Sequence, residues 1–180
     1  MRAPDSRIRP MSFATSRHDF QDKPQGYAQL ARELGALLSG ESDLIANAAN
    51  TAALIFEALP EVNWAGFYFL KDGELVVGPF QGRPACVRIA LGRGVCGTAA
   101  AERRTILVPD VHQFPGHIAC DSASRSEIVV PLIVRGALLG VLDLDSPRPG
   151  RFDADDARGL ERLAAQFLAA AAGAPGPDAR

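Results

Sequence analysis

No apolar run in the 180-residue chain comes near the ~20 residues that a membrane span needs. No apolar core follows the charges at the N-terminus, so nothing there reads as a signal peptide and the cytoplasm is the expected compartment. An excess of one charge sign is missing too. The net charge of −2 leaves no electrostatic footprint for nucleic acid or an anionic membrane. Cysteine is scarce: three residues, at 86, 96 and 120, an odd number at irregular spacing. That pattern is neither a disulfide framework nor a CxxC-type zinc site, and no metal or cofactor is expected. In the cytoplasm such thiols stay reduced unless they do chemistry. There is no internal repeat.

What is present is ordinary globular material, 47% hydrophobic and 22% charged, enough to bury one core without staples. Residues 1–22 are polar and aperiodic and read as a flexible extension, with Met11 a conceivable alternative start. Residues 173–180 read as a frayed tail. Between them, 23–172 form a single domain. Tyr27, Leu30, Ala31, Leu34 and Leu38 keep helical spacing up to Gly40. Ser42 is placed to cap a second helix that runs to Pro60. The period then changes. "NWAGFYFL" and "ELVVGPF" read as strands joined at "KDG", and "CVRIAL" as a third. "GVCGTAAAERR" suggests a short helix and "TILVPD" a short strand. A loop from His112 to Ser126 precedes the hairpin "EIVVPLIV-RG-ALLGVLDLD". Asp153 caps a last helix with an apolar stripe from Leu160 to Leu168. The expected architecture is α+β: a central antiparallel sheet with helices on one face. Loops around 80–86 and 110–126 would cover a pocket on the other.

Alternation in "VLDLDS" sends Leu142 and Leu144 to one face and Asp143 and Asp145 to the other. Those carboxylates are either a solvated outer face or the floor of a negative pocket. Glu127, opening the neighbouring strand, is either an ordinary strand end or a third acid of that pocket. Trp64 and Tyr68 share a face opposite Phe67 and Phe69, as core or as an aromatic wall for a methyl group or cation. Cys86 follows a glycine- and proline-rich loop. Cys96 starts the short helix, and Cys120 sits in the polar run "ACDSAS". Three buried small hydrophobes are the bland alternative, which suits Cys96 best and Cys120 worst. A Cys–His nucleophile pair using His117 is open as well. "GRGVCG" matches the dinucleotide fingerprint G-x-G-x-x-G, but helices and hairpins around it leave no room for repeated βαβ units.

Together "NWAGFYFL", "GPFQGRPACVRI", "GRGVCGTA", "DVHQFPGHIACDSASRSEIVVPL" and "GVLDLDS" resemble the free methionine-(R)-sulfoxide reductases, which are built on a GAF domain. The resemblance runs from about residue 24 to residue 170. It implies a GAF-like fold and the thiol-dependent reduction of free methionine sulfoxide. By this resemblance Cys120 is the nucleophile, Cys86 resolves the intermediate as a disulfide, and Cys96 assists or substitutes. Glu127, Asp143 and Asp145 hold the substrate and supply protons, and Trp64 and Tyr68 wall the pocket. Thioredoxin is the implied reductant and a homodimer the implied assembly. The rival functions are a GAF-type sensory module that binds a small molecule without turnover, and a thiol switch. No output domain accompanies the pocket, and neither rival needs both three thiols and an acidic floor.

Overall fold

The computed structural model describes residues 20–116 and 122–172. Helix α1 (Lys23–Leu37) starts where the Asp22 side chain accepts the Gln25 N–H at 3.0 Å, with Pro24 in its first turn. Helix α2 (Leu44–Ala58) is capped by Asp43, whose Oδ1 accepts from Ala46 N at 2.8 Å. The cap expected at Ser42 thus lies one residue later. Glu41 folds back onto the N–H groups of Ser42 and Asp43, and Asp43 becomes the residue that faces the helix.

Strands β1 (Trp64–Lys71) and β2 (Glu74–Gly82) meet at Asp72–Gly73, both at positive φ. Such a pair makes the two-residue hairpin turn whose twist matches the strands. Strand β3 (Arg88–Ala90), helix α3 (Gly94–Glu102) and β4 (Ile106–Val108) follow, with a 3-10 turn at Val111–Gln113. Strands β5 (Ser126–Val134) and β6 (Ala137–Ser146) form the second long hairpin, turning at Arg135–Gly136, again both at positive φ. Helix α4 (Ala154–Ala171) opens with a capping box between Asp153 and Asp156. The sheet has six antiparallel strands in the order β3-β2-β1-β6-β5-β4. No helix among the described residues is long and apolar enough to cross a membrane. The extension expected over 1–22 and the tail over 173–180 lie outside the described residues, apart from Phe20–Asp22.

The period-two alternation sorts side chains into two cores. Ala65, Phe67, Phe69, Ile128, Val130, Leu142 and Leu144 pack against α1, α2 and α4. Phe67 and Phe167 of α4 approach with ring centroids 4.7 Å apart. Trp64, Tyr68, Leu75, Val129 and Val141 point the other way and meet Val95, Cys96, Ala99 and Ala100 of α3. Three helices therefore gather on one face as expected. The second face is covered by α3 as well as by loops, a detail the sequence reading did not assign. The "GRGVCG" glycines explain how α3 gets there. Gly92 and Gly94 hold positive φ in the turn, and a side chain at Gly97 would collide with the Ala90 carbonyl. They serve a tight turn and a close helix–strand approach, not a phosphate.

An ionic cluster locks the helical layer. Asp156, fully buried, accepts from Tyr27 Oη (2.9 Å), Lys23 Nζ (2.6 Å), Arg151 (3.2 Å) and Asp153 N (2.9 Å). Arg151 Nε reaches the Pro60 carbonyl at 2.9 Å, so one carboxylate ties α1 and α4 to the end of α2.

Candidate functional site

The pocket is built where β1, β5 and β6 end beside α3. Register places Trp64 opposite Asp145, Gly66 opposite Asp143, and Glu127 opposite Asp145. Because alternate residues share a face, Glu127, Asp143, Asp145, Trp64 and Tyr68 all project into one chamber. Ser124, Cys96 and the loop Arg83–Ala85 complete its wall, with Arg93 at the start of α3. The cavity at its base is small, about 40 Å³, and widens into a mouth open to solvent. The Trp64 ring stacks between Tyr68 (5.8 Å) and Phe80 (5.2 Å). Its Nε1–H donates to the Arg83 carbonyl at 3.1 Å and so pins the loop that leads to Cys86.

The chamber floor is acidic and buried. Glu127 is 6% exposed and Asp143 5%. The Cys96 thiol donates toward Glu127 Oε1 at 3.9 Å, and Cys96, Glu127 and Asp143 bring ligand atoms within 4.8 Å of one another. Asp143 Oδ1 is buried with no hydrogen-bond partner among the described residues. Burial pushes the Asp143 carboxyl up to about 7. Burial, and then the neighbouring Asp143 and Asp145, push Glu127 up in the same sense. Burial followed by the same acids raises the Cys96 thiol well above its ordinary value, so Cys96 is a protonated thiol at neutral pH. Tyr68 is raised chiefly by burial.

The structure thus brings together Trp64, Tyr68, Cys96, Glu127, Asp143 and Asp145. Cys86 is half-buried against the same core and is disulfide-bonded, whereas Cys96 is free. Cys120 and His117 lie outside the described residues. Residues that sequence reasoning missed are Arg83, Arg93 and Ser124. The signal for the arginines was their place in "GRP" and "GRG", cations set in the two tight segments that border the pocket. Chemically the site offers a buried proton store, a negative floor for an ammonium group, an apolar wall, and positive charge at the rim.

Residues 46–170 match the GAF domain family. The chain is 55% identical to the free methionine-R-sulfoxide reductase of Escherichia coli over 146 residues, 81% of this chain and 88% of that protein. Among solved structures it is similar to the free methionine-R-sulfoxide reductase of Neisseria meningitidis in complex with its substrate. That match is 44% identical with a TM-score of 0.81, covering 90% of this chain and 95% of the other. The reduced form of fRMsr of Staphylococcus aureus matches at 48% identity and a TM-score of 0.79, covering 81% and 94%. At such identity over most of its length, the chain belongs to the free methionine-(R)-sulfoxide reductase family of GAF-domain proteins.

Proposed function

We propose that this protein reduces the R epimer of free methionine sulfoxide to methionine. The observation that carries the reading is the orphaned, buried Asp143 Oδ1 in a floor shared with Glu127 and Cys96. An isolated buried carboxylate is costly unless something pairs with it, and a substrate ammonium group supplies the pair. The Trp64–Tyr68 wall suits the substrate methyl, and Arg83 and Arg93 at the rim suit its carboxylate.

A sulfoxide sulfur becomes electrophilic when its oxygen is protonated. Burial raises Glu127 as well as Asp143, so while one of the two pairs with the ammonium the other holds a proton at neutral pH and can deliver it there. Cys96 is a poor primary nucleophile, because its buried thiol resists ionisation. The attacking thiolate is Cys120. It takes the oxygen as a sulfenic acid and releases methionine. The Cys86 thiol then condenses with the sulfenic acid, expelling water and forming a disulfide. An external dithiol, thioredoxin, reduces that disulfide and restores both thiols. The disulfide-bonded state of Cys86 supports its part in this cycle. The cytoplasm as compartment and a homodimer as assembly belong to the same reading.

The test is a thioredoxin-coupled assay with separated R and S epimers of free methionine sulfoxide, run beside a peptide-bound substrate. Turnover of the free R epimer alone is expected, and Cys120→Ser abolishes it. Equal use of both epimers, a preference for the peptide, or full activity in Cys120→Ser overturns the assignment.

A further inference from the structure

The floor of the chamber has a geometry that the reductase chemistry does not require. Sγ of Cys96 and carboxylate oxygens of Glu127 and Asp143 come from three separate elements and lie mutually within 4.8 Å, all buried. Zinc binds sulfur at about 2.3 Å and carboxylate oxygen at about 2.0 Å, so tetrahedral ligand atoms stand about 3.5 Å apart. The Cys96–Glu127 separation of 3.9 Å needs only a slight contraction to reach that spacing. A second observation points the same way: Asp143 Oδ1 has no partner among the described residues, though the residue is 5% exposed and lines the chamber. The other groups facing the three are Tyr68 and Asp145, which bring no positive charge, and Arg83 and Arg93 stand in the chamber wall.

We propose that Cys96, Glu127 and Asp143 form a binding site for a thiophilic divalent cation of zinc's class, with a water molecule in the fourth position. The sulfur ligand selects zinc or cadmium over magnesium or calcium, which prefer all-oxygen shells. On binding, the Cys96 S–H bond breaks, the sulfur–metal bond forms, and the thiol proton leaves to solvent; no electron moves. The cation takes the place that the substrate ammonium takes in the reductase reading, so metal and substrate exclude each other. The site goes beyond that reading and is measured without turnover.

The direct test uses the full chain carrying Cys86→Ser and Cys120→Ser, which leaves Cys96 as the one thiol. Cadmium titration is followed by the ultraviolet thiolate-to-metal charge-transfer band, and cobalt by its visible spectrum. One metal per chain is expected, binding more tightly as pH rises from about 6 to about 8, because the thiol must lose its proton. Adding Cys96→Ser removes the band. Glu127→Gln and Asp143→Asn each weaken binding at least about tenfold, the scale on which metal sites respond to lost support. Far-ultraviolet circular dichroism identifies variants that remain folded. In the unaltered protein, zinc inhibits turnover in competition with methionine sulfoxide, and a chelator reverses it. Undiminished cadmium affinity after loss of Cys96 or of both carboxylates overturns the proposal, as does the absence of binding at millimolar metal. An inactive unaltered protein that still shows the band sinks the reductase reading and leaves the metal site standing.

Discussion

Asp156 and Asp143 are both buried, on opposite sides of one sheet, and their surroundings differ in a single respect. Asp156, beneath the helices, is met by Lys23, Arg151 and Tyr27. Asp143, on the pocket side, is met by a thiol and another acid, with one oxygen unpartnered among the described residues. Removing a charge from water is tolerable when opposite charge and hydrogen bonds replace the lost hydration. The first region is complete by itself. The second becomes complete only when something positive or proton-donating enters. Paired burial holds the helices on the sheet, and unpaired burial marks the place a ligand is meant to fill.

Asp143→Asn breaks the contrast most strongly. It removes one of the two raised floor acids, which share ammonium pairing and proton delivery, while keeping the shape. On the proposed chemistry kcat/KM falls about 10²–10⁴-fold, the span of general acid catalysis. The melting temperature does not fall, because a poorly solvated carboxylate has been neutralised. Steady-state kinetics beside calorimetry check both halves. A large loss of stability with little loss of rate would reverse the roles of the two regions.

Asp156→Ala is the mirror experiment. It leaves Arg151 buried without its anion, while Lys23 keeps only Asp153. Breaking a buried pair in this way costs about 3–5 kcal/mol. For a chain of this size that lowers the melting temperature by about 6–20 °C. Molecules still folded keep the parent kcat/KM. A rate loss without a stability loss would show the cluster to be coupled to the pocket.

The pH dependence sharpens the same comparison at smaller scale. Asp143 has its folded value raised from 3.8 to about 7, so the folded chain holds that proton more tightly than the unfolded chain. Its contribution to stability is fully present below about pH 3.8 and is lost as pH rises through about 7. Thermal unfolding of the parent and Asp143→Asn should therefore diverge between about pH 4 and about pH 7, the variant gaining on the parent at the alkaline end. Parallel curves would mean that the carboxyl is not shifted.

Much of this was legible in the chain. The two-residue period placed Leu142 and Leu144 opposite Asp143 and Asp145, and Phe67 and Phe69 opposite Trp64 and Tyr68, as the two cores have it. The Asp-Gly and Arg-Gly turns fixed the hairpins. What a period cannot tell is whether the polar face of a strand meets water or another layer. That depends on α3 crossing the sheet, which rests on Gly97 sitting against the Ala90 carbonyl, a contact between separate elements. The rim arginines escaped for the same reason, since Arg83 and Arg93 share a wall only after the strands pair. Asp43 displaced Ser42 as cap through a local competition by Glu41 that composition does not reveal. The pairing of Asp156 with Lys23, 133 positions away, is a tertiary fact.

The smallest effect separates charge pairing from hydrogen bonding within the completed cluster. Tyr27→Phe removes one donor from Asp156, at 2.9 Å, and leaves Lys23 and Arg151 in place. The ring stays packed on Gly159, where any side chain on the glycine would strike it. Loss of a single hydrogen bond to a carboxylate that keeps its cations costs about 1–2 kcal/mol. The expected fall in melting temperature is about 2–8 °C, well short of the Asp156→Ala effect. Were the two substitutions equally damaging, the hydroxyl rather than the cations would be what makes burial of Asp156 tolerable. The distinction between a neutralised and an unneutralised acid would then no longer separate the two faces of the sheet.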